Sequence, residues 1–223
     1  MSELAIITFR NSVPGAQELA ETIAHNPTIQ ALNQTVWAFS LVEISHLLFL
    51  VLLGGATLVL ALRTLGLTLT EASVQDVESL TRPWLRVGTI GGSASGIFMS
   101  IATALTLVAN GAFFIKILAL AAAVLFSFAL AGRLRGSSKG VVQATLGLIA
   151  LAYALWLFAS TRGLNTGAML VGAVSAAFLL LAATGRLRGQ DDGAADRLSQ
   201  WLAIGTVVAW LTVTIAGRWI GFS

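Results

Sequence analysis

The fold is decided by residues 36–61, VWAFSLVEISHLLFLVLLGGATLVLA, which form an almost uninterrupted apolar run. A helix needs about 20 apolar residues to cross the hydrocarbon layer of a bilayer, so this run predicts a membrane-spanning helix. Glu43 and His46 interrupt it, and residues three positions apart lie on the same face of a helix. Ionisable side chains at membrane depth are costly and usually functional, so this pair is a candidate site.

The composition of the whole chain also indicates a membrane protein. Of its 223 residues, 57% are hydrophobic and 10% are charged, whereas a soluble domain carries about 25% charged residues. The net charge of +3 comes from small groups of basic residues between apolar runs, and this pattern indicates no nucleic-acid partner. The absence of cysteine excludes disulfides, thiolate metal ligands and covalently attached c-type haem.

Further apolar runs predict an all-α integral membrane bundle of about six transmembrane helices, forming one domain over residues 1–223. Residues 1–35 predict an amphipathic segment on the outer membrane surface. Ser12 is a suitable cap for a helix with Pro14 in its first turn, and Asn26-Pro27 predicts a second helix that runs into the first span. The bundle itself is expected over residues 36–218, with spans at residues 36–61, 85–109, 113–131, 141–160, 168–183 and 198–216.

The basic residues predict how the bundle is oriented. The loops after spans one, three and five, together with the first turn of span two, hold nine of the 13 Lys and Arg residues. Positive residues are retained in the cytoplasm, so these loops are expected there, with both termini on the periplasmic side of a bacterial inner membrane. The nine are Arg63, Arg82, Arg86, Arg133, Arg135, Lys139, Arg186, Arg188 and Arg197, and the other four are Arg10, Lys116, Arg162 and Arg218.

Small residues recur every four positions in the second span, at Gly88, Gly92 and Gly96. A helix face without side chains allows a neighbouring helix to approach closely. The same missing side chains would also leave room for a flat cofactor. Both interpretations remain open, and the first is the basis for considering a non-catalytic accessory subunit.

His46 has three interpretations. Its imidazole is a ligand for haem iron or copper, a proton carrier together with Glu43, or a structural group that hydrogen-bonds a neighbouring helix. No other His lies in a span, so a haem would be five-coordinate, would use Met99 or Met169, or would be shared across a dimer. Lys116 is expected in the periplasmic half of the bundle, as is His46, and its charge suits a haem propionate. Arg218 closes the last span on that side and suits the same role.

Four short motifs carry a resemblance to a known family. They are Trp37 with Glu43-x-x-His46, Leu62-Arg63-x-Leu65-Gly66, Asn110-x-x-Phe113-x-x-Lys116, and Gly217-Arg218-Trp219-Ile220. On these motifs the chain resembles an uncharacterised family of bacterial inner-membrane proteins, a domain of unknown function. An Asp that commonly precedes the Leu-Arg pair is Ala61 here, which removes any role assigned to that acid.

A His in the first span with a Lys in the third is more distantly similar to the membrane protoporphyrinogen oxidase type (HemJ) and the copper-resistance CopD group. These resemblances imply that a helical bundle handles haem b or copper. The leading hypothesis is therefore a polytopic inner-membrane protein that binds haem b, with a role in redox chemistry or in haem and metal handling. His46 is the axial or metal ligand, Glu43 its partner, and Lys116 and Arg218 contact anionic groups.

Two alternatives stay open beside this hypothesis. In the first, the chain is a non-catalytic accessory subunit or membrane anchor of a larger complex. In the second, it is a copper or small-solute transporter. The expected partners are the lipid bilayer and either a second copy or another membrane protein. No phosphate-binding loop or nucleophile motif of soluble enzymes is present in the sequence.

Overall fold

The computed structural model describes residues 8–137, 140–160, 169–177 and 196–220. Within these ranges the regular elements are all α-helices, which confirms the all-α bundle. The helices are α1 Phe9–Ser12, α2 Ala16–Ala24, α3 Pro27–Gln34, α4 Val36–Thr64, α5 Val74–Ala102, α6 Ala104–Val108, α7 Gly111–Leu134, α8 Gly140–Ser160, α9 over residues 169–177, and α10 Arg197–Trp219.

Four of the described helices are long and apolar enough to cross a membrane, namely α4, α7, α8 and α10. The protein is therefore a membrane protein, although the expected number of spans was about six. The helix α5 is as long as α4, at 29 residues. The hydropathy of α5 is lowered by Arg82, Arg86 and the Gly- and Ser-rich residues 91–96. This helix is therefore not among the four.

The prediction for the second span was also wrong at both ends. The span was expected at residues 85–109, but α5 begins at Val74 and ends at Ala102, and the short α6 follows after a break at Thr103. The fifth predicted span, at residues 168–183, falls largely outside the described residues. Only residues 169–177 of it are described, and they are helical.

The N-terminal segment folds as three short helices. Ser12 was expected to cap a helix, but it ends α1, and Gly15 caps α2 with a φ of 77°. Only glycine adopts this left-handed conformation without strain. The helix start at Asn26-Pro27 is confirmed, because the Asn26 side chain accepts the Thr28 N–H at 2.9 Å. The predicted continuation into the first span is wrong, since α3 ends at Gln34.

The motif Leu62-Arg63-x-Leu65-Gly66 forms the end of α4. Gly66, at a φ of 72°, donates its N–H to the Arg63 carbonyl at 2.9 Å, and Leu67 donates to Leu62 at 2.9 Å. This pair of bonds is the Schellman arrangement that ends many helices. The buried Arg63 side chain donates from Nε to the Ala72 carbonyl at 2.7 Å and so holds the following loop. This motif is therefore structural.

Acidic residues tie the helices together at the arginine-rich end. Glu78 of α5, with 2% side-chain exposure, pairs with Arg82 on its own helix and with Arg135 at the end of α7, at 3.1 Å. Asp196 accepts the Ser199 N–H at the start of α10 and forms an ion pair with Arg133 of α7. Several arginines that the sequence assigned to orientation alone therefore also join α5, α7 and α10.

The glycine face of α5 packs against α4 of the same chain. A Cβ on Gly88 would lie 2.7 Å from the Leu53 backbone nitrogen, and one on Gly91 would lie 2.4 Å from the Phe49 ring. Only glycine permits this separation of the two helices. At Gly88 and Gly91 the face is occupied by α4, so these positions are not available to a partner helix.

Candidate functional site

A cavity of about 680 Å³ lies between α4, α5, α6 and α7, at the end of the bundle opposite the arginine-rich loops. Its volume falls within the usual range for sites that hold small molecules or cofactors. Most of its wall is apolar, including Ile23 of α2, Phe113 of α7 and Ile220 after α10. The polar side chains that line it are His46, Ser93, Ser100, Thr103, Thr106 and Lys116.

His46 is half buried and faces α5. Its Nδ1 lies 2.9 Å from the Ser95 hydroxyl oxygen. A Cβ on Gly96 would lie 3.0 Å from the imidazole Cε1, so the missing side chain at this position makes room for the ring. Gly92 and Gly96 both line the cavity. Part of the glycine face therefore packs helices, and part of it surrounds the imidazole.

The hydrogen bonds of Ser95 favour one of the two tautomers of His46. The Ser95 hydroxyl lies 2.6 Å from the Gly91 carbonyl oxygen, which can only accept a hydrogen bond. A hydroxyl has one proton to donate, so its oxygen acts as the acceptor toward His46. The neutral imidazole is then protonated on Nδ1. In this tautomer Nε2 keeps a lone pair, with which an imidazole can bind a metal ion.

Glu43 lies outside this arrangement. It sits one turn before His46 on α4, but it is exposed and is not among the described residues that line the cavity. The sequence predicted Glu43 as the partner of His46, but the side chain that contacts the imidazole is Ser95. Sequence reasoning missed Ser95 because a serine between glycines is typical of a packing face. Only the register of α4 against α5 brings it opposite His46.

Lys116 lies on α7 and is also half buried. Its methylene chain passes α10, where a Cβ on Gly217 would be 3.6 Å from the Lys116 Cε. Asn110 caps α7 by accepting the Phe113 N–H at 2.9 Å, and its Nδ2 donates to the Ile220 carbonyl at 3.2 Å. The third and fourth sequence motifs therefore meet beside the cavity.

The remaining predicted contacts are divided between the cavity and the surface. Met99 lines the cavity together with His46, whereas Met169 on α9 is 74% exposed. Arg218 is exposed near the end of α10 and is not among the described lining residues. Across the described ranges, no group of three His, Cys, Asp or Glu side chains is arranged to hold a metal ion. An ion at His46 would therefore need ligands other than a cluster of these side chains.

Residues 28–168, more than half of the chain, match the model of a family of unknown function, DUF6644. The chain belongs to this family. His46, Ser95 and Lys116 all lie in the matched region, and α10 lies beyond it. No curated protein and no solved structure matches the chain. Membership of an uncharacterised family is thus confirmed, whereas the likeness to HemJ and CopD stays a prediction.

Proposed function

We propose that this DUF6644 protein binds haem b in the cavity, with Nε2 of His46 as an axial ligand of the iron, and acts in redox chemistry or haem handling in a bacterial inner membrane. One observation carries the proposal. His46 lines the cavity, and its Nδ1 contacts the Ser95 hydroxyl, whose own proton goes to the Gly91 carbonyl. These contacts favour the tautomer with its lone pair on Nε2. Metal-binding imidazoles characteristically donate their other N–H to such a partner.

The chemistry of the cavity wall suits this cofactor. Haem b is a flat, mainly apolar ring with two carboxylates, and most of the cavity wall is apolar, including Ile97 and Ile101 of α5. Lys116 provides a positive charge, and Met99 would offer a thioether as a further ligand. Bound haem would supply one-electron chemistry. The residues of the chain would ligate it, orient it and exclude water, with Ser95 in the role that the sequence gave to Glu43.

Haem binding is tested by the absorption spectrum of protein purified in detergent from cells supplied with a haem precursor. The wild-type protein should show a Soret band, and His46→Ala should lose it. Ser95→Ala removes the acceptor of the Nδ1 proton and should weaken haem binding by about 10- to 100-fold.

The matched control is His25→Ala, which changes the other of the two histidines. His25 ends α2, where its Nδ1 contacts the Glu21 carbonyl at 2.7 Å, and it is not among the described lining residues. This variant should keep the band. A wild-type protein without a Soret band, or a band that persists unchanged in His46→Ala, would rule out the proposal.

A further inference from the structure

We propose that the cavity selects its ligand by an acidic group that pairs with Lys116, and that this selection does not require iron. The ligand class is an apolar, membrane-soluble molecule that carries a carboxylate. The inference rests on the proposed function for its choice of cavity. It is independent of the bond between His46 and iron.

The charges that surround the cavity are the first argument. Lys116 lines the cavity, and no Asp or Glu is among the described lining residues. Within the described part of the chain, the Lys116 ammonium has no hydrogen bond or ion pair. A charge removed from water without a partner is costly. A carboxylate on a ligand would supply both the opposite charge and the hydrogen-bond acceptor.

The neighbouring polar groups offer an anion few alternatives. Ser100 donates its hydroxyl proton to the Gly96 carbonyl at 2.8 Å, and Thr103 donates to the Met99 carbonyl at 2.9 Å. These hydroxyls therefore turn lone pairs toward other groups, as does Nε2 of His46. Lone pairs repel a carboxylate. The other two polar lining side chains, Ser93 and Thr106, are neutral hydroxyls, so Lys116 is the cation among the described lining residues.

Lys116 is also held in position before any ligand binds. Its stem packs beside Gly217, and the hydrogen bond from Asn110 to the Ile220 carbonyl joins the start of α7 to the end of α10. Fixing a binding group in advance reduces the entropy that is lost on binding. The N-terminus of α7 begins at Gly111, near Lys116, and the positive end of the helix dipole adds to the attraction for an anion.

The test uses iron-free protoporphyrin IX and its dimethyl ester, which share the apolar ring and differ in their acid groups. Binding to the protein in detergent is followed by porphyrin fluorescence. The wild-type protein should bind the acid about tenfold or more tightly than the ester, as a charge-assisted hydrogen bond implies. Lys116→Met keeps the apolar stem and should remove this preference. Lys116→Arg keeps the charge and should retain most of it.

Arg218→Met is the matched control, since it removes an exposed cation of the same end of the bundle that is not among the described lining residues. It should leave the preference for the acid unchanged, and loss of the preference in this variant would overturn the assignment to Lys116. The proposal is equally overturned if the wild-type protein does not bind the acid, binds acid and ester alike, or keeps its preference in Lys116→Met.

His46→Ala distinguishes this proposal from the proposed function. The variant should lose the haem Soret band and still bind the iron-free acid more tightly than the ester. If no haem binds but the Lys116-dependent preference is present, the haem proposal fails and the acid-selective site stands. If haem binds through His46 and the preference for the acid is absent, the haem proposal stands and the acid-selective site fails. Similar thermal unfolding of each variant and the wild-type protein shows that binding, and not folding, has changed.

Discussion

At the scale of single residues, His46 depends on two neighbours on α5. The Ser95 hydroxyl oxygen lies 2.9 Å from Nδ1, and Gly96 leaves space beside the ring. The first neighbour selects the tautomer and the second sets the position of the imidazole. Both lie on a helix face that would otherwise be described only as a packing surface.

The space beside Gly96 leads to a prediction for Gly96→Ala. The added Cβ would lie 3.0 Å from Cε1 of His46, so the ring must shift away and its bond to Ser95 must lengthen. In a haem titration we expect this variant to bind about tenfold more weakly than the wild-type protein, the lower end of the effect of losing such a partner.

The matched control is Gly92→Ala, one turn away on the same face. Its Cβ would be 3.8 Å from the nearest atom, on Phe49, which is an ordinary contact. This variant should bind haem nearly as well as the wild-type protein. If Gly92→Ala and Gly96→Ala bind haem equally well, the space beside Gly96 does not position the imidazole.

Single residues of the site were predictable where they are chemically unusual in their surroundings. His46 and Lys116 stand out because ionisable groups are rare in apolar helices, and the structure brings both to one cavity. The structure leaves Glu43 and Arg218 exposed. Helical spacing places Glu43 near His46 along the axis, but it does not reveal which side chain turns toward α5.

At the scale of elements, the contact between α4 and α5 depends on Gly88. Its Cβ in Gly88→Ala would be 2.7 Å from the backbone nitrogen of Leu53, and a backbone atom cannot move aside by rotation of a side chain. The two helices would have to separate. We expect the free energy of unfolding in detergent to fall by about 1–3 kcal/mol, the usual cost of overpacking.

Gly55→Ala on α4 is the control for Gly88→Ala. Among the described residues, no atom from outside this stretch of α4 lies within 4 Å of the added methyl group, and alanine is about 0.5–1 kcal/mol more favourable than glycine within a helix. This variant should therefore be as stable as the wild-type protein or slightly more so. Equal stability of the two variants would show that α4 and α5 do not pack this closely.

The ion pair between α7 and α10 predicts a dependence of stability on pH. The Arg133 guanidinium beside Asp196 holds the pKa of that carboxyl well below its ordinary value. Because the pKa is lower in the folded state, the pair stabilises the fold fully above about pH 4. This contribution is lost as the pH falls through the folded-state pKa.

Asp196→Asn isolates this charge, since asparagine caps a helix as well as aspartate does. At neutral pH the variant should be less stable by about 1 kcal/mol or less, because the pair is largely exposed. The difference should shrink as the pH is lowered below about 4, where Asp196 begins to take up its proton in the unfolded wild-type chain but not yet in the folded one. Thermal unfolding over a pH series measures it, and a constant difference would contradict the assignment.

Hydropathy located α4, α7, α8 and α10 to within three residues at each end. It failed for α5, because the first part of that helix is polar and carries Asp76, Glu78 and Arg82. The start of α5 is instead marked by a local signal, in which the Ser73 side chain accepts the Asp76 N–H at 3.0 Å. A Ser followed three residues later by an acid indicates a helix start. Hydropathy does not register it.

At the scale of the whole molecule, the contacts of α5 bear on the number of crossings. Gly88 meets Leu53, whereas Gly96, further along α5, meets His46, earlier on α4. The two helices are therefore antiparallel over this stretch. We expect α5 to return across the membrane beside α4, where its less apolar residues contact protein as well as lipid. The acid–arginine pairs then lie at one end of the bundle, and the cavity lies at the other.

The separation of the arginine-rich end from the cavity end predicts the orientation of the protein in the membrane, and the absence of cysteine allows a direct test. Glu18 is exposed on α2 at the cavity end, and Glu71 is exposed in the loop between α4 and α5 at the arginine-rich end. Because positive residues are retained in the cytoplasm, a membrane-impermeant maleimide should label Glu18→Cys in intact spheroplasts. It should label Glu71→Cys only after lysis.

The two variants remove the same charge from exposed positions, so they differ mainly in the side of the membrane on which they lie. Labelling of Glu71→Cys before lysis, with Glu18→Cys protected, would reverse the orientation. The cavity with His46 and Lys116 would then face the cytoplasm. With the predicted pattern, a ligand would reach the cavity from the periplasmic side of the membrane, and the ion pairs of Glu78 and Asp196 would lie at cytoplasmic pH.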